Sequence, residues 1–519
     1  MLSERFYITT PIYYVNEQPH IGHVYTTTVA DVIARWHRQA GDQVFFLTGT
    51  DEHAAKVADA AAERGLAAQA WADRNAGIVR ETFQRWGISN DDFIRTSEAR
   101  HKKRVSHYVA QLLETGDVFL GEYEGWYDAG EEEYVPEARA EEHGFRSPIS
   151  GRELVRKKEE NYFFRLSSYQ DDLLRLLEEH PHFVQPDARR NEVLGRIRQG
   201  LNDVPLSRTG MGTWGIAMPG DPEQRIYVWI DALFNYLTAV DRSDRRAFWP
   251  AQVHLIGKDI LWFHAVIWPA LLHALAKVPG NEWIGLPGQI YAHSHFIREG
   301  HKMSKSLGNF IDLASLDEIV ARYSLDGLRF YLVTQGPMGI HDADFTAERF
   351  ADLYHAELAN KLGNLVSRSL KMNARFAEGL VPVPGAPGEA EALLKESAAT
   401  SCQEVAFHMR RLAVGKALEA ALSLAAATNR YLDEREPWKA AKDPERAASV
   451  PTTLYHCCCS LRILAHLLLP FLPDTAAEIF RRLGLEGVPT PLEPTRFDAL
   501  SPGLSTTPGE PLFPRVEEA

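Results

Sequence analysis

The sequence predicts an α/β protein whose first domain is split by an insertion and followed by an all-helical domain. Three observations indicate this fold class. Strand-like runs flank a helical pattern near the N-terminus, the same alternation returns after residue 225, and beyond about residue 346 the pattern is almost entirely helical. A chain of 519 residues also exceeds one hydrophobic core, and a typical domain size of roughly 150 residues suggests about three domains.

The first half of the split domain is predicted from residues 1–115. Residues 6–14 (FYITTPIYY) and 43–49 (QVFFLTG) are rich in β-branched and aromatic side chains. Residues 26–39 between them carry helical patterning that ends at Gly41. The chain therefore opens with a strand, a helix and a second strand, and helical patterning then continues from about residue 54 to residue 115.

The middle of the chain is predicted to interrupt this domain and then to complete it. Residues 116–225 consist of short aromatic pieces punctuated by glycine, which is typical of an inserted module. Strand and helix patterns return over residues 226–306, the predicted second half. A linking segment at 307–345 precedes the helical domain at 346–485, and residues 486–519, with seven prolines, are predicted to be an irregular tail.

Charge, apolar runs and cysteines restrict the class of protein. Lys and Arg number 56 and Asp and Glu 70, so the net charge of −14 excludes a non-specific basic coat for nucleic acid. Residues 1–10 lack the apolar core of a secretion signal, and the apolar run 461–472 is too short to span a membrane. Four cysteines, three of them consecutive at 457–459, form no disulfide framework. We therefore expect a cytoplasmic protein.

A histidine pair marks the start of the first predicted helix. His20 and His23 flank Ile21 and Gly22 shortly after the first strand. Because they are three residues apart, they lie on one side of the first helical turn, where the helix dipole favours anions and imidazole N–H groups can donate to phosphate oxygens. Gly22 leaves bare backbone against which an adenine ring fits. This short pattern gains weight only together with a second motif.

The second motif is a basic, hydroxyl-rich pentapeptide that follows a strand pattern near residues 292–297. It consists of Lys302, Met303, Ser304, Lys305 and Ser306. Two ammonium groups and two hydroxyls suit the charge that develops on a departing pyrophosphate, although a solvated basic loop has the same composition. Both motifs fall at predicted strand ends in the two halves of one domain. A shared nucleotide site is therefore the stronger interpretation.

This pairing of motifs resembles the class I aminoacyl-tRNA synthetases. Further landmarks are similar to the methionyl-tRNA synthetase family, namely YITTPIYY at 7–14, GTDEH at 49–53, NYFF at 161–164, VWIDA at 228–232, IGKDI at 256–260 and LFPR at 512–515. The resemblance covers nearly the whole chain. It implies a Rossmann-type catalytic domain split by a connective-peptide insertion, a stem-contact segment at 307–345 and an all-α anticodon-binding domain.

For the activity, the resemblance implies ATP-dependent activation of methionine to methionyl-adenylate and transfer of the methionyl group to tRNA(Met), the initiator tRNA included. ATP would arrive with Mg²⁺, to which no protein ligand is assigned, and we expect a monomer that contacts no membrane. A carboxylate nucleophile needs no general base, so catalysis consists of positioning and charge stabilisation. The residues expected to supply it are His20, His23, Lys302 and Lys305.

Side chains for both substrates follow from the same resemblance. The implied methionine pocket comprises Ile12, Tyr14, Asp51 (for the ammonium group), Trp229, Ala232, Leu233, Tyr236, Ile260 and His264. A thioether suits an apolar, aromatic surround, and a tyrosine hydroxyl or a histidine N–H can donate a weak hydrogen bond to its sulfur. The implied ATP site comprises Gly22, Gly257, Asp259, Met303, Ser304 and Ser306.

A separate pattern in the helical domain points to contact with RNA. If residues 357–376 form an α-helix, Asn360, Asn364, Arg368 and two further basic side chains fall within an arc of roughly 80°, opposite an apolar face. This line of amides and cations suits splayed bases and phosphates, although a solvated amphipathic face has the same pattern. The resemblance identifies Asn360, Asn364 and Arg368, with Trp438 as a stacking platform, as readers of the CAU anticodon.

The sequence departs from the family pattern at several positions. Ala54 and Ser294 stand where many relatives have glycine. Many relatives also carry cysteine zinc knuckles in the inserted module, but residues 116–225 contain no cysteine, and Asp128 and Glu131 stand where the first cysteine pair is expected. A closed zinc site needs four ligands, usually with cysteine dominating. We therefore predict that no zinc is bound.

Two other functions are compatible with part of these motifs. A nucleotidylyltransferase of the HxGH type shares the adenylate chemistry, but it has no use for a helical domain at residues 346–485. A non-catalytic tRNA-binding paralogue is disfavoured by the presence of His20, His23, Lys302 and Lys305. A sister synthetase for isoleucine, valine or leucine would carry a larger insertion than residues 116–225.

Overall fold

The computed structural model describes residues 4–16, 18–129, 133–135, 137–147, 150–209, 212–303, 309–485, 487 and 496–516. A parallel sheet with helices on its faces is followed by a bundle of helices, which confirms the predicted fold class. Within the described ranges, no helix is both long enough and apolar enough to cross a membrane.

The segment before residue 116 provides three strands of the parallel sheet. Its elements are β1 (Arg5–Tyr14), α1 (Ile21–Ala40), β2 (Gln43–Asp51), α2 (Ala55–Ala62), α3 (Ala68–Arg85), β3 (Asp92–Arg95) and α4 (Ala99–Glu114). The expected helical run from residue 54 to residue 115 is thus wrong at β3. Four residues are too few to show a two-residue period against the helical patterns on either side.

The inserted segment forms two small antiparallel sheets and also reaches the main sheet. Its elements are β4 (Val118–Asp128), β5 (Glu133–Val135), α5 (Glu137–Glu142), β6 (Val155–Phe164), α6 (Gln170–Glu179), β7 (Val184–Gln185), α7 (Asp187–Ile197), β8 (Val204–Pro205), β9 (Ser207–Thr209), β10 (Ala217–Met218) and β11 (Asp221–Ile226). The orders within the small sheets are β5-β4-β6-β8 and β10-β11-β9, whereas β7 joins the edge of the parallel sheet.

The chain after residue 226 completes the parallel sheet. Its elements are α8 (Val228–Leu233), α9 (Asn235–Thr238), β12 (Val253–Gly257), α10 (Trp268–Ala276), β13 (Gln289–His293), β14 (Phe296–Arg298) and β15 (His301–Lys302). The strand order is β3-β2-β1-β12-β13-β7, and every pair is parallel. The strand order therefore reverses between β1 and β12, and in open α/β sheets ligands bind at the carboxyl ends of the strands beside such a switch point.

The two faces of the parallel sheet belong to different hydrophobic cores. Along β1, Phe6 and Ile8 pack into a core that also contains side chains of α1 and of the C-terminal helices. Tyr7, which points to the opposite face, packs into a second core with side chains of α4, α6 and α10. The sheet is buried on both faces, as expected for parallel strands.

The C-terminal part is helical. Its elements are α11 (Leu313–Tyr323), α12 (Leu325–Gln335), the short strand β16 (Ala343–Asp344), α13 (Ala347–Leu353), α14 (Asn364–Phe376), α15 (Glu389–Met409), α16 (Val414–Arg435), α17 (Pro437–Ala440), α18 (Val450–Leu468) and α19 (Pro473–Arg482). Between α13 and α14, residues Tyr354–Gly363 form a π-helix. The described tail residues contain one 3₁₀ turn, and Phe513 is buried against the body.

A buried ion pair joins three parts of the molecule. Asp31 of α1 binds Arg329 of α12 at 2.8 Å (Oδ2 to Nη2) and Arg35 at 2.7 Å (Oδ2 to Nε), and its Oδ1 accepts the backbone N–H of Ser89. Arg329 also donates to the carbonyl oxygen of Phe471, just before α19. Asp31 and the Arg329 side chain are almost completely buried. The first helix, α12 and the end of the bundle are thus held together at one point.

A second carboxylate lies one helical turn from this pair. Asp326 of α12 is buried, and its Oδ2 accepts the backbone N–H of Thr475, in the first turn of α19, at 2.6 Å. Burial raises the pKa of Asp326 from 3.8 to about 6, although the Thr475 hydrogen bonds and the charge of Arg329 act in the opposite direction. Ionisation of Asp326 above this pH therefore opposes folding.

We predict that Asp326→Asn stabilises the protein selectively at high pH. In the wild type, the contribution of the protonated carboxyl is fully present below pH 3.8 and is lost as the pH rises through about 6. The asparagine cannot ionise, and its oxygen can still accept the Thr475 N–H. Thermal unfolding should show a gain for the variant at pH 8, on the order of 1–3 kcal/mol relative to its effect at pH 4. The exposed Asp352→Asn on α13 is the control, and an equal effect of Asp326→Asn at both pH values would contradict the prediction.

Candidate active site

His20 and His23 cap the N-terminus of α1. The Nδ1 of His20 accepts the backbone N–H of Gly22 at 3.0 Å, and the Nδ1 of His23 accepts the backbone N–H of His20 at 3.2 Å. A ring nitrogen that accepts a hydrogen bond carries no proton, so each neutral ring holds its proton on Nε2. Burial lowers the pKa of His23 well below 6.5, and the neighbouring His20 adds to this effect. The cap thus fixes the tautomer in which Nε2 is the donor.

Gly22 is required by this cap. A Cβ atom at this position would lie 2.9 Å from Cε1 and 3.1 Å from Nδ1 of the His20 ring. A larger residue would therefore displace His20 from its hydrogen bond. The cap is thus a reason for glycine at this position in addition to the expected approach of an adenine ring.

One cavity of about 380 Å³ lies at the carboxyl ends of β1, β2, β12 and β13. Both histidines of the cap line it. The structure also places in its wall all nine residues predicted for methionine and three of those predicted for ATP, namely Ile12, Tyr14, Asp51, Trp229, Ala232, Leu233, Tyr236, Ile260 and His264 with Gly22, Gly257 and Asp259. The split halves of the domain therefore contribute to a single site.

Aromatic side chains form the apolar part of the cavity. The Trp229 ring stacks on Phe263 with 4.1 Å between ring centres, and Tyr14 meets Trp229 edge-on at 6.3 Å. Tyr14 and Trp229 are each only partly buried, so their surfaces are accessible from the cavity. Such a surround favours a flexible, polarisable side chain.

The polar groups of the apolar part are hydrogen-bonded to each other. His264 Nδ1 lies 2.9 Å from the carbonyl oxygen of Ile260, which can only accept, so His264 carries its proton on Nδ1. Its Nε2 then accepts the hydroxyl of Tyr236 at 2.8 Å. Burial lowers the pKa of His264 to about 4, so the ring is neutral at physiological pH. The Tyr236 hydroxyl and the His264 N–H, which were the donors expected for a thioether sulfur, thus donate to other protein groups in this structure.

Asp51 is the acidic group of the cavity and ends β2 in a buried position. The two residues that follow it in the sequence are held by other side chains. Glu52 binds the Arg95 guanidinium at 2.7 and 2.9 Å, and His53 Nδ1 lies 2.6 Å from Oδ2 of Asp231 on α8. A buried carboxylate is stabilised by a cationic partner, so this position suits an ammonium group.

The polar end of the cavity includes two histidines that the sequence analysis did not select. His295 Nε2 lies 2.9 Å from Oδ2 of Asp259, and His293 Nε2 lies 2.7 Å from the hydroxyl of Thr26. The contact with His295, and then the charge of Lys302, lower the pKa of Asp259 below its ordinary value. In the structure His293 ends β13 and His295 lies two residues beyond it, whereas the strand pattern predicted near residues 292–297 includes both and gave no separate signal for them.

The basic pentapeptide is only partly described. Lys302 is exposed on β15, in a hairpin with β14, and Met303 is half-buried. Neither residue lines the cavity, but the charge of Lys302 reaches Asp259. Ser304, Lys305 and Ser306 lie outside the described residues, so their predicted roles stay predictions.

The predicted anticodon residues share one surface of the helical domain. Asn360 and Asn364 are exposed and Arg368 is half-buried. The Arg368 guanidinium lies 5.5 Å from the centre of the Trp438 ring and pairs with Asp433 at 2.7 Å. The helix differs from the expectation, because residues Tyr354–Gly363 are π-helical and only Asn364–Phe376 are α-helical. The polar and apolar faces nevertheless separate as predicted.

Profiles of two protein families match this chain. "tRNA synthetases class I (M)" matches residues 6–143 and 143–370, and "Anticodon binding domain of methionyl tRNA ligase" matches residues 381–519. A methionine–tRNA ligase of Caldanaerobacter subterraneus subsp. tengcongensis is 41% identical over 521 residues, which cover 99% of this chain and 80% of the relative. The ligase of Bacillus subtilis is 41% identical over 533 residues, covering 99% and 78%.

Solved structures agree with these matches. The methionyl-tRNA synthetase of Mycobacterium tuberculosis in complex with methionyl-adenylate superposes with a TM-score of 0.91 at 37% identity, covering 99% of this chain and 100% of the other. The free form of the Mycobacterium tuberculosis enzyme gives a TM-score of 0.85 at 33% identity, covering 100% and 99%. From the profiles, the relatives and the fold together, this chain belongs to the methionyl-tRNA synthetase family of class I.

Proposed function

We propose that this protein activates methionine with ATP and transfers the methionyl group to tRNA(Met), and that the residues lining the cavity at the carboxyl ends of β1, β2, β12 and β13 do so. The observation that carries the proposal is the continuity of one cavity. It joins an apolar pocket with a buried carboxylate, Asp51, to the capped start of α1. An amino acid and a nucleoside triphosphate can therefore meet within one cavity.

In the first half-reaction, the methionine ammonium group binds Asp51 and its side chain occupies the pocket beside Trp229. The ionised carboxylate attacks the α-phosphorus of ATP in line, a new O–P bond forms, and the bond to the β-phosphate breaks to release pyrophosphate. No proton is moved, so the protein contributes position and charge. The Nε2–H groups of His20 and His23 donate to phosphate oxygens at the positive end of α1.

In the second half-reaction, a ribose hydroxyl of the terminal adenosine of the tRNA attacks the carbonyl carbon and forms an ester, the anhydride bond to the phosphate breaks, and AMP leaves with the hydroxyl proton. Recognition of the tRNA is assigned to Asn360, Asn364, Arg368 and Trp438. Their support is the exposure of Asn360 and Asn364 and the contact between Arg368 and Trp438. Amides, a guanidinium and an indole are the groups that bind unstacked bases.

The remaining assignments are part of the same proposal. Mg²⁺ accompanies ATP and neutralises its phosphates. The protein works as a monomer, and it works in the cytoplasm, where its proposed tRNA substrate is used in protein synthesis.

The test of the function is methionine-dependent exchange of pyrophosphate into ATP, measured with each of the twenty amino acids. Exchange with methionine alone among them supports the proposal, and exchange with none of them contradicts it.

We predict that Lys302→Ala slows adenylate formation about tenfold to a hundredfold, with little change in methionine binding. The ammonium group lies close enough to act on Asp259 and is therefore placed to stabilise charge developing on pyrophosphate. Pre-steady-state measurement of adenylate formation provides the readout. The exposed Lys103→Ala on α4 is the charge-matched control. A raised methionine KM at an unchanged rate of adenylate formation would show that Lys302 does not stabilise the transition state.

We also predict that Trp438→Ala separates the two half-reactions. Loss of a stacking platform worth about 1–3 kcal/mol raises the KM for tRNA roughly fivefold to a hundredfold. Pyrophosphate exchange needs no tRNA and stays near the wild-type rate. Trp438→Phe keeps an aromatic face and retains most of the aminoacylation. Equal losses of exchange and aminoacylation in Trp438→Ala would show that Trp438 maintains the fold instead.

Absence of zinc is a further part of the proposal. In the inserted module, Trp126 packs on Phe145 with 4.6 Å between ring centres, and Val135, Ala140 and Leu154 form a small core beside them. This packing occupies the region where a metal knuckle would otherwise organise the chain. Among the described residues, no group of three or more His, Cys, Asp or Glu side chains is placed to hold a metal ion. Glu131 lies outside those residues.

We therefore predict that the purified protein contains well under one zinc ion per chain and does not depend on it. Elemental analysis gives the content, and dialysis against a strong chelator should leave exchange and the melting temperature unchanged. Trp126→Ala should lower the melting temperature, because it removes the packing that replaces a metal. Stoichiometric zinc whose removal lowers the melting temperature would prove the prediction wrong.

A further inference from the structure

A fully buried histidine lies behind the apolar part of the active-site cavity. His254 is on β12, where the strand register pairs it with Thr9 of β1, beside the point at which the strand order reverses. Neither residue lines the cavity, and His254 has no role in the function described above. Buried polar groups are almost always hydrogen-bonded, so the partners of this ring indicate what it does.

Two hydrogen bonds fix the plane of the His254 ring. The Trp268 indole N–H, which can only donate, lies 3.3 Å from Nε2, so this nitrogen carries no proton. Burial lowers the pKa of His254 well below 6.5, and the neighbouring His264 adds to this effect, so the ring is neutral. Its proton is therefore on Nδ1, which donates to the Thr9 hydroxyl at 2.7 Å. The torsion that turns a histidine ring has only broad minima, so these bonds decide the orientation.

The face of the oriented His254 ring contacts Tyr236 of the methionine pocket. The two ring centres are 4.3 Å apart, and the ring planes are inclined by 35°. Tyr236 is held at two other points, because its hydroxyl donates to Nε2 of His264 at 2.8 Å and its backbone carbonyl accepts the Tyr7 hydroxyl at 2.9 Å. His254 thus supplies the contact that limits movement of the tyrosine ring itself.

Thr9 provides a second connection between the histidine and the pocket. Burial raises the pKa of Tyr236, and the side chains of Asn235 and Thr9 act in the opposite direction. The Thr9 hydroxyl therefore influences the Tyr236 hydroxyl while it accepts a hydrogen bond from His254. β1, from the first half of the split domain, and β12, from the second half, hold one wall of the pocket together through this group.

We propose that His254 is a positioning residue for methionine, which fixes the Tyr236 ring against the substrate side chain and so favours methionine over an aliphatic amino acid of the same shape. The inference rests on the proposed function. The attraction between a thioether sulfur and an aromatic ring depends on their distance and orientation, and a methylene group lacks it. A tyrosine ring that moves would therefore lose more of its interaction with methionine than with norleucine, which has a methylene in place of the sulfur.

The first experiment separates the two substrates. His254→Asn retains an amide N–H that can donate to Thr9 but removes the ring that faces Tyr236. In pyrophosphate exchange, the KM for methionine should rise about tenfold, whereas kcat and the KM for ATP should stay within about twofold of the wild type. His456→Asn on α18 is the matched control, because it also replaces a buried histidine but lies in the helical bundle. An unchanged methionine KM, or an equal rise of both KM values, would overturn the proposal.

The second experiment measures selection of the sulfur. The ratio of kcat/KM for methionine to kcat/KM for norleucine should fall about threefold in His254→Asn and in Thr9→Val. It should keep the wild-type value in Thr9→Ser, which retains the hydroxyl, and in His456→Asn. A general loss of structure lowers the activity with both amino acids alike, so this ratio reports on position rather than on folding. An unchanged ratio in both His254→Asn and Thr9→Val would show that His254 only fills space.

The possible failures are distinguishable. A wild-type protein without methionine-dependent exchange would contradict the proposed function. Normal exchange in the wild type, together with wild-type KM values and ratios in the variants, would contradict only the role of His254. Thermal unfolding of each variant verifies the fold. If His254→Asn does not fold, the difference in ratio between Thr9→Val and Thr9→Ser decides the question, and equal ratios in these two variants would overturn the proposal.

Discussion

The buried ion pair between Asp31 and Arg329 is the constraint on which the arrangement of the whole molecule depends. Burial by itself raises the pKa of Asp31, but Arg329 and Arg35 outweigh this effect and hold the pKa below its ordinary value. Asp31 is therefore ionised, and a buried charge is stable only while all of its partners stay in place. Because Arg329 also binds the carbonyl oxygen of Phe471, α1, α12 and the end of the helical bundle are positioned by one contact. The helix that carries His20 and His23 is thus anchored to the domain proposed to read the anticodon.

Charged side chains held by their partners also organise the active site. Asp51 lines the cavity, while Glu52 is held by Arg95 and His53 is held by Asp231. Asp231 also accepts from His101 Nε2 at 2.7 Å, which joins α8 to α4. Asp231 precedes Ala232 and Leu233 of the pocket, so these contacts set the distance between the acidic and apolar parts. Preorganisation of this kind is what a reaction without a general base requires.

Local sequence was sufficient for the parts of the site that are close together in the chain. The HxGH pattern predicted donors at a helix start, and the structure shows why their tautomer is fixed, since each Nδ1 accepts a backbone N–H. All nine residues predicted for methionine do line one cavity. The resemblance to a family supplied that set, because residues from β1, β2, α8 and the segment after β12 have no common spacing. The pairing of His295 with Asp259 was missed for the same reason.

What the sequence by itself determined was the class of fold, the order of its parts and the chemistry of its motifs, because periodicity and motif spacing are properties of neighbouring residues. The tertiary structure alone decided which distant groups meet. Thr9 and His254 bind each other at a separation of 245 residues, and the Tyr7 hydroxyl donates to the Tyr236 carbonyl across 229 residues. The π-helix at Tyr354–Gly363 was also decided there, since its polar and apolar faces fit an α-helical pattern while its hydrogen bonds are shifted by one residue. Such contacts depend on how elements pack, and packing is not encoded in any short stretch of the chain.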